Sequence, residues 1–147
     1  MRSAYGANEP TIREHPATIV VDVANVMGSR PDGWWRDRAG AAVRLHADVA
    51  RLAASGRPLL PGDPDPPDFV MVLEGAARAA AARIEPAARV RVVVAGGSGD
   101  DAIVAQVGEL AGRRVVVTAD RELRRRCEGA GAEVLGPGWL LAQLRER

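Results

Sequence analysis

Apolar residues fall into short, largely β-branched runs, separated by stretches in which they recur every three or four positions. Thr18 to Val26 is the first run, and its near-continuous apolar character predicts a central strand buried on both faces. Phe69 to Leu73, Val90 to Ala95, Val115 to Val117 and Glu133 to Leu135 predict four more strands. Between the first and second, Ala42, Leu45, Val49 and Leu52 share one face of a helix that runs to about Ala54, with Gly56 placed to end it. The Ala-rich stretch 76–83 predicts a short helix before Pro86. Ile103, Val104, Val107, Leu110 and Ala111 form the apolar stripe of another, opened by Asp100 and Asp101. A basic helix over 121–128 and a last one over 138–146 complete the pattern.

Turn-forming residues punctuate the elements. Gly28 to Gly33 reads as a loop, as do the Pro-, Gly- and Asp-rich residues 56–68 and the run Gly96-Gly97-Ser98-Gly99. Strand and helix alternate five times, which implies parallel strands with right-handed crossovers and a three-layer α/β sandwich. Residues 1–16 are polar and read as a flexible leader, and 17–147 as a single domain.

Composition narrows the partners. The 147 residues are 47% hydrophobic and 27% charged, which is a globular balance. Every basic residue is Arg and none is Lys. With the heavy Ala, Gly and Pro usage, this suggests a GC-rich coding bias, so a single Arg says little. Formal net charge is +1, so any nucleic acid would be held by a local patch and not by a global field. The single cysteine, Cys127, excludes an intrachain disulfide, and its helical setting predicts a small buried hydrophobe. No run is long enough to span a bilayer, so a soluble cytoplasmic protein without a membrane partner is expected. The oligomeric state is left open.

The chemistry lies in carboxylates at strand ends. Asp22 interrupts an apolar run where an unpartnered charge would cost several kcal/mol or more. Asp100 and Asp101 open the helix after the third strand, and Asp120 ends the fourth. In an open parallel sheet, all three positions reach the carboxyl edge, where ligands bind. Carboxylates at that density repel one another and suit Mg²⁺ or Mn²⁺. Asp is also a favoured helix N-cap, and Ser98 with Asp101 resembles a capping box, so a structural role is open to Asp100, Asp101 and Asp120. Asp22 precedes an expected loop, so capping does not account for it. Glu74 ends the second strand beside the group and reads as an exposed strand end.

At these residues the chain resembles a known family. Asp22-Val23-Ala24-Asn25-Val26, Gly99-Asp100-Asp101-Ala102-Ile103-Val104 and Val117-Thr118-Ala119-Asp120-Arg121-Glu122-Leu123 are similar to the motifs of NYN domains. These are a branch of the PIN-like metal-dependent ribonucleases, here nearest the YacP-like type. The resemblance covers residue 18 to about 144. It implies a strand order of 3-2-1-4-5 and a metal-dependent endoribonuclease. It also implies that Asp22, Asp100 and Asp120 bind Mg²⁺ or Mn²⁺ directly or through water. Asn25 and Thr118 match positions that hold the loop or a water, and Asp101 or Glu74 is left as the fourth acidic residue.

A nuclease needs a hold on phosphates. Arg30, Arg36 and Arg38 follow Asp22, and Arg121 follows Asp120, so a basic rim flanking the carboxylates is expected. Trp34 and Trp35 suit stacking on unpaired bases, with one of the pair buried and Trp35 at the rim. Single-stranded RNA is therefore the expected partner. Two other readings compete. One is a non-catalytic PIN-like module that binds RNA or protein. The other uses Gly96-Gly97-Ser98-Gly99 as a phosphate loop, but two aspartates and no base follow those glycines. His15 and His46 have no Cys or Ser at a spacing that would support a catalytic triad.

Overall fold

A computed structural model describes residues 15–146, and the leader expected over 1–16 lies outside the described residues except for His15 and Pro16. Five strands, β1 (Thr18–Asp22), β2 (Asp68–Leu73), β3 (Val90–Val94), β4 (Arg114–Val117) and β5 (Glu133–Leu135), form one sheet in the order β3-β2-β1-β4-β5. Every pairing within it is parallel. Helices α1 (Val23–Gly28), α2 (Arg38–Ala54), α3 (Gly99–Glu109), α4 (Arg121–Gly129) and α5 (Pro137–Arg145) link and cover the strands.

Side-chain alternation along the strands builds the three layers. Ile19, Val21, Phe69, Met71, Leu73, Val115 and Val117 face one way and pack with Leu45 and Val49 of α2 and Leu140 of α5. Val20, Val70, Val72 and Val116 face the other way, onto Ile103 and Val107 of α3 and Leu123 and Cys127 of α4. Each fully buried Val, Leu or Ile contributes roughly 1.5–3 kcal/mol, so β1, buried at all five positions, is the spine of the domain. Cys127 is fully buried, as expected of a small hydrophobe, and burial pushes its thiol up to about 11.

Two elements differ from expectation. The strand read as Thr18 to Val26 ends at Asp22, and residues up to Gly28 form α1. The cause is a cap, which corrects the expectation that a loop follows Asp22 and that capping does not account for it: the Asp22 carboxylate accepts from Asn25 N at 3.3 Å, while Val23, Val26 and Met27 bury one side of the short helix. Local capping here overrides the β-preference of the valines. The loop expected over Gly28 to Gly33 is correspondingly shorter and leads into a 3₁₀ turn at Trp34–Arg36. The Ala-rich stretch is a 3₁₀ helix, Gly75–Ala82, with Ala77 and Ala80 buried at the three-residue spacing that this helix eclipses. Among the described residues no helix is long and apolar enough to cross a membrane.

Candidate functional site

The alternation that builds the core also places the site. Val20, Val72 and Val116 face α3 and α4. Two residues further along each strand direction stand Asp22, Glu74 and Thr118, at the carboxyl edge of three adjacent strands. Helices α3 and α4 begin at the same edge and bring Asp100 and Asp120.

Asp22 is buried at 7% exposure and Thr118 is fully buried. Thr118 Oγ1 donates to Asp22 Oδ2 at 2.8 Å and accepts from Asp120 N at 3.1 Å. Asn25, in the first turn of α1, accepts from Ala119 N through Oδ1 at 2.8 Å. Together these bonds lock the end of β1 to the β4–α4 connection. Asp120 Oδ1 accepts from Leu123 N at 2.8 Å and so caps α4. Capping leaves its second carboxylate oxygen available to a ligand.

The carboxylates act on one another. Burial pushes the Asp22 carboxyl up to about 6, against the opposing hydrogen bonds from Thr118 and Asn25; Asp100 and Glu74 add to the rise by repulsion. Asp100 is also raised, first by burial and then by Asp120 and Glu74, with Arg126 opposing. Asp22, Glu74, Asp100 and Asp120 thus form one electrostatic group. Among the described residues, however, no three His, Cys, Asp or Glu side chains stand close enough to hold an ion between them.

Asp101 stands apart from this group. Its amide donates to Ser98 Oγ at 3.1 Å, completing the N-cap of α3, and its exposed carboxylate pairs with Arg126 at 2.8 Å. That pair holds the Asp101 carboxyl below its usual range. Successive helical residues point about 100° apart, which is why the two adjacent aspartates part company. Glu74 is the residue that the sequence understated. Half-buried and not an exposed strand end, it accepts from Gly99 N through Oε1 at 2.8 Å. The signal was its parity with Val72, which aims it at the α3 face.

The expected rim divides. Arg30 does not stand free: it pairs with Asp48 at 2.8 Å, which also holds Arg51 at 2.6 Å. Trp34 is half-buried against the core and Trp35 is 55% exposed, the two rings meeting edge to face at 6.0 Å. Arg36 lies over the Trp35 ring at 5.5 Å and Arg38 over Trp34 at 5.2 Å. Arg121 is exposed in the first turn of α4, immediately after Asp120.

Neither a family model nor a curated protein matches the sequence. Solved structures do. A tryptophan-to-leucine mutant of Rae1 (YacP) from Bacillus subtilis superposes with a TM-score of 0.65 at 18% identity, over 87% of this chain and 74% of that one. A second structure of Rae1 (YacP) from Bacillus subtilis gives 0.64 at 17% identity, over 86% and 72%. At such identity the likeness is one of fold: the chain folds as Rae1 (YacP) does.

Proposed function

We propose that this chain is a metal-dependent endoribonuclease acting on single-stranded RNA, with Asp22, Asp100 and Asp120 holding Mg²⁺ or Mn²⁺ directly or through water. The observation that carries the reading is the gathering of Asp22, Glu74, Asp100 and Asp120 at the carboxyl edge of adjacent strands, where burial first and the neighbouring carboxylates next push the Asp22 and Asp100 carboxyls up. Unneutralised carboxylate oxygens are the hard donors that these cations take. The likeness to YacP-type folds and the three sequence motifs support the same reading. When bound, such a cation supplies an activated water and neutralises charge on the phosphodiester. The chain's part is positional. Thr118 and Asn25 orient Asp22 and the loop before Asp120, while Arg36, Arg38, Arg121 and Trp35 hold phosphates and bases.

The test is cleavage of labelled single-stranded RNA with Mn²⁺, with EDTA, and by Asp120→Asn. Cleavage should require Mn²⁺ and the aspartate and leave 5′-phosphate and 3′-hydroxyl ends. Activity that survives both EDTA and the substitution would sink the reading. A 2′,3′-cyclic phosphate would point instead to attack by the RNA's own 2′-hydroxyl.

A second reading is a module that binds RNA or protein without cutting. The spacing of the acidic side chains favours it, since no three of them approach closely enough to chelate one ion unaided. RNA binding with no cleavage under any divalent metal would select this alternative.

A further inference from the structure

The connection between β3 and α3 has little of its own to hold it. A side chain at Gly96 or Gly97 would meet nothing within 4 Å. What fixes it comes from the end of β2. Leu73 O accepts from Ala95 N at 2.8 Å, at the start of the connection. Glu74 Oε1 accepts from Gly99 N at 2.8 Å, at its end. Leu73, the last residue of β2, and Glu74, which follows it, therefore grip both ends of a segment that delivers Asp100.

The grip is close. A Cβ on Gly99 would stand 2.7 Å from the Glu74 carboxylate, so the bare glycine lets the carboxylate sit where it does, and a side chain there would push it aside. Gly99 N is one of the first amides of α3, which have no partner within the helix. Ser98 satisfies Asp101 N and Glu74 satisfies Gly99 N, so the first turn is pinned from two directions. Asp100 lies between these two pinned amides.

We propose that Glu74 is a positioning residue: its bond to Gly99 N sets the first turn of α3 so that Asp100 faces Asp22 across the carboxyl edge. The inference rests on the metal-site reading above and deepens it. Its substance is the hydrogen bond and not the charge, which by itself only adds repulsion to Asp22 and Asp100.

Mn²⁺ affinity by calorimetry and amide exchange at Gly99 to Asp101 in the metal-free protein test it together. Residues that support ligands typically change metal affinity by about 10–100-fold, so Glu74→Ala should lose at least about tenfold and exchange faster at Gly99. Glu74→Gln keeps an acceptor for Gly99 N and should stay within about threefold of wild type, a partial loss from the missing charge being the smaller effect. Gly99→Ala keeps the charge but pushes the carboxylate aside, and should lose affinity in the same direction as Glu74→Ala and by less. Glu74→Ala at wild-type affinity, with only a lower melting temperature, would reduce Glu74 to a helix cap and overturn the proposal. Equal losses in Glu74→Ala and Glu74→Gln would overturn it too, in favour of a charge or ligand role. A wild type that binds no Mn²⁺ would overturn the metal reading itself, an outcome distinct from either.

Discussion

Thr118 Oγ1 donates to Asp22 Oδ2 at 2.8 Å across 96 residues of sequence, and both side chains are buried. The pair joins neighbouring strands β1 and β4 at the point where the core stops and the carboxylates begin. One hydroxyl cannot offset the burial of an anion, so the Asp22 carboxyl stays well above its ordinary value.

That elevation makes stability depend on pH. Below about pH 4, Asp22 is protonated in both folded and unfolded chains and costs nothing. Between about 4 and 6, the folded state keeps a proton that the unfolded state has lost, so stability falls as pH rises. Above about 6 the cost is complete, on the order of 3 kcal/mol for a rise of about two units. Asp22→Asn should therefore be more stable than wild type at pH 8 and gain little at pH 4, in paired urea melts. Mn²⁺ at 100 times its Kd should stabilise the wild type by about 2.7 kcal/mol through linkage. Asp22→Asn should show none of this gain. A variant that still responds to Mn²⁺ would mean that the ion binds elsewhere.

Thr118→Val removes the donor to Asp22 Oδ2 and the acceptor for Asp120 N at nearly constant shape. Leaving buried polar groups unpaired costs about 1–3 kcal/mol. The loss should be greatest at pH 8, where Asp22 is ionised, and the Asp22 carboxyl should titrate higher than in wild type. Carboxyl-carbon NMR across pH 4–9 reads that midpoint; an unmoved or lower one would contradict the bond.

Asn25→Ala breaks the bond from Ala119 N that ties α1 to the β4–α4 connection. Its surroundings are partly exposed, so the loss should be modest, about 0.5–1.5 kcal/mol. Faster amide exchange confined to Ala119 and Asp120 would locate the effect, and uniform loosening of the whole sheet would argue against it.

Much of this site is written in strand parity. Val20 and Asp22, Val72 and Glu74, and Val116 and Thr118 are same-face pairs, and short parallel strands carry each second member to one edge. The sheet and its crossovers follow from alternating apolar runs and helical stripes. Three features were hidden because they depend on contacts between distant segments or on competing local terms. The β-branched run through Val26 concealed α1, since a cap from Asp22 outweighed strand propensity. Glu74 and Gly99 stand 25 positions apart, and only the close approach of β2 to the start of α3 gives the glutamate its role. Asp100 and Asp101 look equivalent in sequence. Ser98 and Arg126 separate them, the second by an ion pair from another helix.

The arginines should separate in the same way. Arg36 and Arg121 are exposed, the first lying over the Trp35 ring and the second following Asp120. If they meet phosphates, Arg36→Ala and Arg121→Ala should each weaken RNA binding and lower the slope of log affinity against log salt by about one. Trp35→Ala should cost about 1–3 kcal/mol of binding through lost stacking, with the salt slope unchanged. Arg30 shares Asp48 with Arg51 and braces the end of α1 against α2. Arg30→Ala should lower stability by about 1 kcal/mol or less, as part-exposed ion pairs do, and leave the salt slope of RNA binding where it was. Fluorescence anisotropy with a short single-stranded RNA at several salt concentrations, beside urea melts of the same variants, reads both quantities. A slope that falls for Arg30→Ala but not for Arg36→Ala or Arg121→Ala would move the RNA path away from the carboxylates and onto the α2 face.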